Sequence, residues 1–137
     1  MSPNLVDVYV DGSFDGQNAS WAFAVIDPIK DSVIFEDKGV ITDPDINSGR
    51  QIGGEVQAVI EAIECCKRNS LIAIIYYDYI GIEEWARCRW VANKSYTKRY
   101  QEYMMVNGQY FHRFVKIKSH TGNKWNEYVD KLAKSND

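Results

Sequence analysis

The 137-residue sequence has little of several features that define whole classes of protein. It has three cysteines, Cys65, Cys66 and Cys88, and their odd number without CxxC spacing argues against a disulfide framework and a zinc site. No apolar run approaches the roughly 20 residues that a membrane span needs. The N-terminal residues lack the basic segment and long apolar stretch of a signal peptide. We therefore expect reduced thiols, a cytoplasmic location and no membrane partner.

The length is enough for one domain with a sizeable core and too short for two ordinary domains. Hydrophobic residues make up 45% and charged residues 26% of the sequence, which is normal for a globular protein. There is no internal repeat and no low-complexity segment. We expect residues 1–137 to form a single domain, with a monomer as the default state at this size.

The charge is unevenly distributed along the chain, although its formal total is only −3. Residues 1–64 hold twelve acids and three bases, whereas residues 85–118 hold eight bases and one acid. Such asymmetry indicates a basic face that could meet phosphates. An ordinary solvated helix surface is the alternative explanation.

The pattern of apolar residues and turn signals predicts an α/β domain. Runs at 5–10, 21–26 and 33–40 are typical of strands, and their short polar connections favour an antiparallel meander. Composition predicts a loop over 43–54 and then a helix that begins near 54–55. The remaining pattern predicts strands at 71–77 and 111–118 and helices at 81–91, 94–105 and 124–134. Since strand–helix–strand connections favour parallel pairing, we expect a mixed five-stranded sheet, its first three strands antiparallel, with helices on both faces.

Three acidic residues lie where this pattern would place chemistry. Asp11 and Asp78 are predicted at the ends of the first and fourth strands, and Glu55 at the start of the intervening helix. Carboxylates that are brought together repel one another, and a divalent cation relieves this repulsion. Mg²⁺ takes oxygen ligands, and two such ions can activate water and stabilise the leaving oxygen of a phosphodiester. Taken singly, each acid could instead be a turn, helix-terminus or surface residue.

With these residues in place, the chain resembles type 1 ribonuclease H. The matching segments are VYVDGSF at 8–14, GGEVQAVIEAIE at 53–64, IIYYDYIGIEEWA at 74–86 and SHTGNKWNEYVDKLAK at 119–134. They come in the family's order, and the first and last are specific in combination. The stretch after Asp78 is similar to a bacterial subgroup that often carries an N-terminal hybrid-binding domain. This sequence shows the catalytic domain only, as a standalone enzyme or as a fragment.

The resemblance implies the ribonuclease H fold and hydrolysis of the RNA strand of RNA–DNA hybrids, leaving 5′-phosphate and 3′-hydroxyl ends. It implies two Mg²⁺ ions, with Mn²⁺ as a substitute, held by Asp11, Glu55, Asp78 and Asp130. His120 matches a histidine before the last helix that is thought to assist proton transfer or product release. A lone loop histidine without a role is the alternative.

The same resemblance suggests residues that contact the hybrid. Gly12, Ser13 and Gln51 adjoin the implied metal ligands, although many relatives have Asn at or beside the position of Gln51. Residues 85–99 match the region that grips the DNA strand, where aromatic and basic side chains suit sugar stacking and phosphate pairing. The candidates there are Trp85, Arg87, Arg89, Trp90, Lys94 and Lys98, with Trp85 as a core residue as the alternative.

Three other functions stay open from the sequence. One is a binding module with the same fold and no activity, although such a module would be expected to lack one of the four carboxylates. The second is another nuclease on this fold, against which the 119–134 segment and the short length weigh. The third is an α/β protein that is not a nuclease.

Overall fold

The computed structural model describes residues 4–118 and 122–135. The described residues form five strands, five α-helices and a 3-10 helix at Gly108–Tyr110. The strands are β1 (Leu5–Phe14), β2 (Ala19–Asp27), β3 (Ser32–Val40), β4 (Ile72–Tyr77) and β5 (Phe111–Lys116). The helices are α1 (Pro44–Asn47), α2 (Arg50–Arg68), α3 (Gly81–Ala86), α4 (Ser95–Val106) and α5 (Lys124–Lys134).

The strands form one sheet in the order β3-β2-β1-β4-β5. β1, β2 and β3 pair antiparallel, and β4 pairs parallel with β1 on one side and with β5 on the other. The parallel pairs are those whose connections contain helices, as the geometry of crossover connections requires. The predicted mixed sheet with three antiparallel first strands is confirmed.

Helices cover both faces of this sheet because alternate residues of β1 point to opposite sides. Val8 and Val10 are buried with residues of α2 and α4 in the larger hydrophobic cluster. Tyr9 is buried in a second cluster with Val129 of α5. The sheet therefore presents α2 and α5 on opposite faces, which lets both helices reach the same sheet edge.

Helix α2 lies unusually close to the backbone of β1 and β2. A Cβ atom added at Gly12 would overlap the main chain of Gln51 and Glu55, and one added at Gly54 would overlap the carbonyl oxygen of Ser20. Only glycine permits such an approach. The close packing fixes the first turns of α2 against the sheet.

The predicted loop over 43–54 is wrong, because this segment contains α1 and the start of α2. Asp43 caps α1 by accepting a hydrogen bond from the amide of Asp45 at 2.8 Å, and Pro44 occupies the first helical position. The glycines at 53 and 54 were misleading as loop signals, since here they serve close packing. Glu55 therefore lies in the second turn of α2 and not at its start.

Three other boundaries differ from prediction. β1 continues beyond Asp11 to Phe14, because β2 pairs with it from Asp7 to Phe14. The helix predicted over 81–91 ends at Ala86, and Cys88 then takes a left-handed backbone conformation with φ of 60°. β5 ends at Lys116, two residues earlier than expected.

Candidate active site

A cleft of about 580 Å³ opens at the end of the sheet where the pairing of the central strands β1 and β4 stops. The parallel pairing of these strands ends at Tyr9 and Tyr76, so Asp11 and Asp78 both lie just beyond the paired segment. Asp11, Glu55, Asp78 and Asp130 all line the cleft. The structure thus brings together four carboxylates that are far apart in sequence.

The carboxylate of Glu55 is fixed by hydrogen bonds from the backbone of the residues that follow β4. Its side chain is only 4% exposed, and it accepts hydrogen bonds from the amides of Asp78 at 2.8 Å and Tyr79 at 3.2 Å. Burial raises the pKa of Glu55 to about 8, and the charges of Asp11 and Asp78 act in the same direction against these two bonds. Glu55 therefore connects α2 to the end of β4 as well as contributing a carboxylate.

Asp11 lies among other negative charges. Burial raises the pKa of Asp11 to about 7, and the neighbouring Asp130 and Asp78 add to the increase. A hydrogen bond from the Gly12 amide to Asp11 Oδ1 at 2.9 Å opposes it. Asp130 comes from α5 on the other face of the sheet and accepts a hydrogen bond from Lys134 Nζ at 3.1 Å.

The donor set fits hard divalent cations in its chemistry. Carboxylate oxygens are the ligands that Mg²⁺ prefers, and a cation would relieve the repulsion among Asp11, Asp78 and Asp130 that adds to burial in raising the pKa of Asp11. Over residues 4–118 and 122–135, however, no three His, Cys, Asp or Glu side chains converge closely enough to form a metal-binding set. The carboxylates share a cleft without yet converging on a point.

Other cleft residues were partly anticipated. Gly12 and Gln51 line the cleft as predicted. Ser13 is not among its lining residues and pairs with Ser20 across β1 and β2. The sequence analysis missed Lys116, Asn126 and Glu127 as site residues; Lys116 reaches the cleft through the register of β5 against β4, which no local sequence pattern contains.

A second cleft of about 550 Å³ adjoins the first, since Ile52 and Tyr79 line both. It is lined by Trp85, Arg89, Trp90 and Lys94 among the predicted contact residues. The rings of Tyr79, Trp85 and Trp90 contact one another with centroids 5.8–6.3 Å apart. Trp85 packs partly against the core while it also lines this cleft, and its role as a hybrid contact stays a prediction.

The predicted basic face is weaker than the sequence count suggests. Arg87 pairs with Glu83 at 2.6 Å and lies over the ring of Phe114, away from the residues that line the second cleft. Arg89 pairs with Glu84 at 2.7 Å. Arg99 pairs with Asp45 of α1 at 2.9 Å, and Lys98 is exposed on α4 outside the lining of that cleft.

His120 lies outside the described residues, so its predicted role stays a prediction.

The helices are also relevant to the expected lack of a membrane partner. In the part of the chain that the structure describes, none of them combines the length and the apolar composition of a bilayer span.

Comparison with known proteins agrees with this geometry. The profile of the ribonuclease H family (RNase H) matches residues 3–137. The chain therefore belongs to the ribonuclease H family, and the expectation of a ribonuclease H hydrolase is confirmed. A search of curated proteins finds no match.

Solved structures share the fold at low sequence identity. Ribonuclease H1 of the archaeon Halobacterium salinarum is 18% identical with a TM-score of 0.76, and the alignment covers 95% of each chain. The N-terminal ribonuclease H domain of a Mycobacterium tuberculosis protein is 18% identical with a TM-score of 0.77, over 95% of this chain and 91% of that one. A ribonuclease H1 isolated from compost, solved with an RNA/DNA hybrid, is 16% identical with a TM-score of 0.71, over 94% and 96%. The type 1 and bacterial-subgroup assignments remain predictions.

Proposed function

We propose that this protein is an endoribonuclease that hydrolyses the RNA strand of RNA–DNA hybrids, leaving 5′-phosphate and 3′-hydroxyl ends. The observation that carries the proposal is the cleft lined by Asp11, Glu55, Asp78 and Asp130 at the edge of the sheet. Family membership supports hydrolase chemistry for that cleft. The hybrid bound to the compost enzyme of the same fold supports the choice of substrate.

The four carboxylates would hold two Mg²⁺ ions, or Mn²⁺ in their place. When bound, such ions supply the activation of water and the neutralisation of the departing 3′ oxygen. The protein itself keeps Glu55 fixed through two backbone amides and places Asp11 and Asp78 just beyond the segment over which β1 and β4 pair. This preorganisation stabilises charge that develops in the transition state.

The second cleft is the proposed site for the DNA strand. Its aromatic rings offer surfaces for sugar and base contacts, and Lys94 offers positive charge. Because Ile52 and Tyr79 line both clefts, a duplex could place one strand in each. His120 retains its proposed role in proton transfer or product release.

We also propose a cytoplasmic monomer. Cys65, Cys66 and Cys88 are all free, and burial raises the pKa of Cys66 to about 12, which keeps that thiol protonated. Free thiols are compatible with a reducing compartment. Sedimentation at micromolar concentration tests the monomer directly.

The first experiment is a gel assay of an end-labelled RNA–DNA hybrid with Mg²⁺, Mn²⁺ or EDTA, beside duplex RNA, duplex DNA and single strands. We expect metal-dependent cleavage of only the hybridised RNA. A folded protein that binds the hybrid but cuts nothing with either metal would instead be a binding module. Cleavage of duplex DNA would indicate a different nuclease on this fold.

The change Asp78→Asn removes one carboxylate charge while leaving the backbone amide that supports Glu55. We expect a loss of cleavage of at least about 1,000-fold, since a missing ligand disrupts charge stabilisation worth several kcal/mol. Circular dichroism should show a native fold. Asp37→Asn, at an exposed position on β3, is the matched control, and wild-type cleavage by Asp78→Asn would refute the ligand assignment.

Changing Lys94 and Lys98 together to Ala tests the DNA-strand grip. Neither lysine forms an ion pair with another described residue, so both charges are available to phosphates. We expect weaker hybrid binding and a salt slope reduced by up to about two, with the cleavage step retained at saturation. Unchanged hybrid affinity would reject this stretch as a binding surface.

A further inference from the structure

The wall of the carboxylate cleft carries a strong imbalance of charge. Among the described residues that line it there are five acids, Asp11, Glu55, Asp78, Glu127 and Asp130, and one base, Lys116. A phosphodiester that enters this cleft is an anion and is repelled by each carboxylate that is ionised. Lys116 is the one cationic side chain on the described wall that could attract it.

Lys116 has a well-defined place in the fold. It is the last residue of β5 and is the register partner of Tyr77, which immediately precedes Asp78. The amide of Ile117 donates a hydrogen bond of 2.8 Å to the carbonyl of Tyr77, so the chain stays paired at this point. The backbone of Lys116 is therefore fixed beside the end of β4.

The ammonium group of Lys116 is also available. Its side chain is exposed, and it forms no ion pair with any carboxylate in the described part of the chain. Arg87, Arg89 and Arg99 differ in this respect, because each is paired with an acid. An exposed ammonium group without an ion pair is available for a charge-assisted hydrogen bond to a phosphate oxygen.

We propose that Lys116 is a further substrate-binding residue, whose ammonium group contacts a phosphate of the nucleic acid in the carboxylate cleft. The inference rests on the proposed function, since it takes a phosphodiester as the ligand of that cleft. Such a contact brings the backbone into the cleft without reading its sequence. It places one strand across the ends of β4 and β5.

Hybrid binding in EDTA tests the contact without relying on cleavage. The variants are Lys116→Met and Lys116→Arg, with Lys30→Met at an exposed position of the β2–β3 turn as the control. We expect Lys116→Met to weaken binding about tenfold and to lower the slope of log affinity against log salt by about 0.9. Lys116→Arg should keep the slope, and Lys30→Met should match the wild type.

A second measurement separates a phosphate contact from a structural role. Hybrids are prepared with a single neutral methylphosphonate linkage, placed beside a 2′-deoxy sugar at successive positions around the cleavage site. One position should weaken wild-type binding about tenfold and have little effect on Lys116→Met, because the variant has already lost the partner of that phosphate. The proposal would be overturned if the wild type and Lys116→Met lost the same affinity for the neutral linkage at every position. It would also be overturned if the salt slope of Lys116→Met equalled that of Lys30→Met.

Cleavage assays of the same proteins keep the two proposals apart. If the wild type binds hybrid with the predicted dependence on Lys116 but cuts nothing, the phosphate contact stands and the nuclease function fails. If the wild type cuts hybrid and Lys116→Met behaves as Lys30→Met does in binding and cleavage, the contact fails and the nuclease function stands.

Discussion

Helices α2 and α5 bring carboxylates to the same cleft from opposite faces of the sheet, and they are held there in different ways. α2 rests directly on the main chain of β1 and β2 through Gly12 and Gly54, and Glu55 is bonded to two backbone amides. A position set by backbone contact leaves little room for adjustment. We infer that Glu55 is the fixed reference point of the site.

Helix α5 packs on the other face through the buried Val129, and side chains of the β2–β3 hairpin add polar contacts at its surface. Asp31 accepts hydrogen bonds from Trp125 Nε1 at 2.6 Å and from Lys124 Nζ at 3.0 Å. Tyr128 donates a hydrogen bond to Glu36, and Ser20 donates one to the carbonyl of Ala133. Most of these polar contacts are exposed, whereas Glu55 is bonded to two backbone amides, so we expect them to fix Asp130 less tightly than Glu55 is fixed.

The largest expected effect comes from breaking the backbone contact of α2. Gly54→Ala places a Cβ against the carbonyl of Ser20 and the Cα of Gly12, neither of which is a flexible side chain. We expect a loss of about 3 kcal/mol in the free energy of unfolding, measured by urea denaturation, and a strong loss of cleavage. Gly108→Ala is the control, because its Cβ meets open space. Equal stability of the two variants would show that α2 can shift.

An intermediate effect is expected from the burial of Asp11 and from the neighbouring charges of Asp130 and Asp78. Because the folded pKa of Asp11 is about 7 against an ordinary 3.8, the native state binds its proton more tightly than the unfolded state does. Stability therefore falls as pH rises from about 4 to about 7. Asp11→Asn removes this loss, and we expect it to be more stable than wild type at pH 8 in EDTA by on the order of 2 kcal/mol.

Thermal unfolding across pH checks this sign. The advantage of Asp11→Asn should vanish below about pH 4 and grow up to about pH 7. Asp15→Asn is the contrasting variant, because hydrogen bonds from the amides of Asn18 and Gln17 lower the pKa of Asp15. That variant should be less stable than wild type at neutral pH. Equal stability of the wild type and Asp11→Asn at pH 8 would contradict the raised pKa of Asp11. Added Mg²⁺ should stabilise the wild type more than Asp11→Asn, because the variant lacks one of the proposed ligands.

The smallest effect is expected at the side-chain contacts of α5. The double change Asp31→Asn and Tyr128→Phe removes an ion pair and a hydrogen bond while keeping the aromatic packing. We expect a melting temperature only slightly below that of wild type, because these contacts are exposed. Cleavage at saturating Mg²⁺ should persist, whereas the Mg²⁺ concentration for half-maximal cleavage should rise. An unchanged metal requirement would show that these contacts do not position Asp130.

Much of this architecture was predictable from local sequence. The alternating and apolar runs predicted all five strands, and the apolar stripe at 124–134 predicted α5 with its observed bounds. The predicted start of α2 was several residues too late, because Gly53 and Gly54 are typical of loops when they are considered without a partner surface. Their packing against the sheet is a tertiary property that no local pattern contains.

In the candidate site too, some residues could be predicted from local sequence and others depend on tertiary packing. Asp11, Glu55, Asp78 and Asp130 could be proposed from motif and predicted strand ends, and one cleft receives all four. Lys116 could not, because its importance depends on the register of β5 against β4. The basic count of residues 85–118 overstated the available charge, because Arg87, Arg89 and Arg99 are paired with acids that a linear count cannot match to them.

The sequence by itself determined the elements, the sheet class and the identity of the four acids, because periodicity and residue type act over short distances along the chain. Only the tertiary structure decided which side chains share an environment: that Glu55 is buried against two amides, that the hairpin adds polar contacts to α5, and that Lys116 faces an acidic cleft. The physical reason is that burial, Coulomb interaction and close backbone approach depend on distances in space.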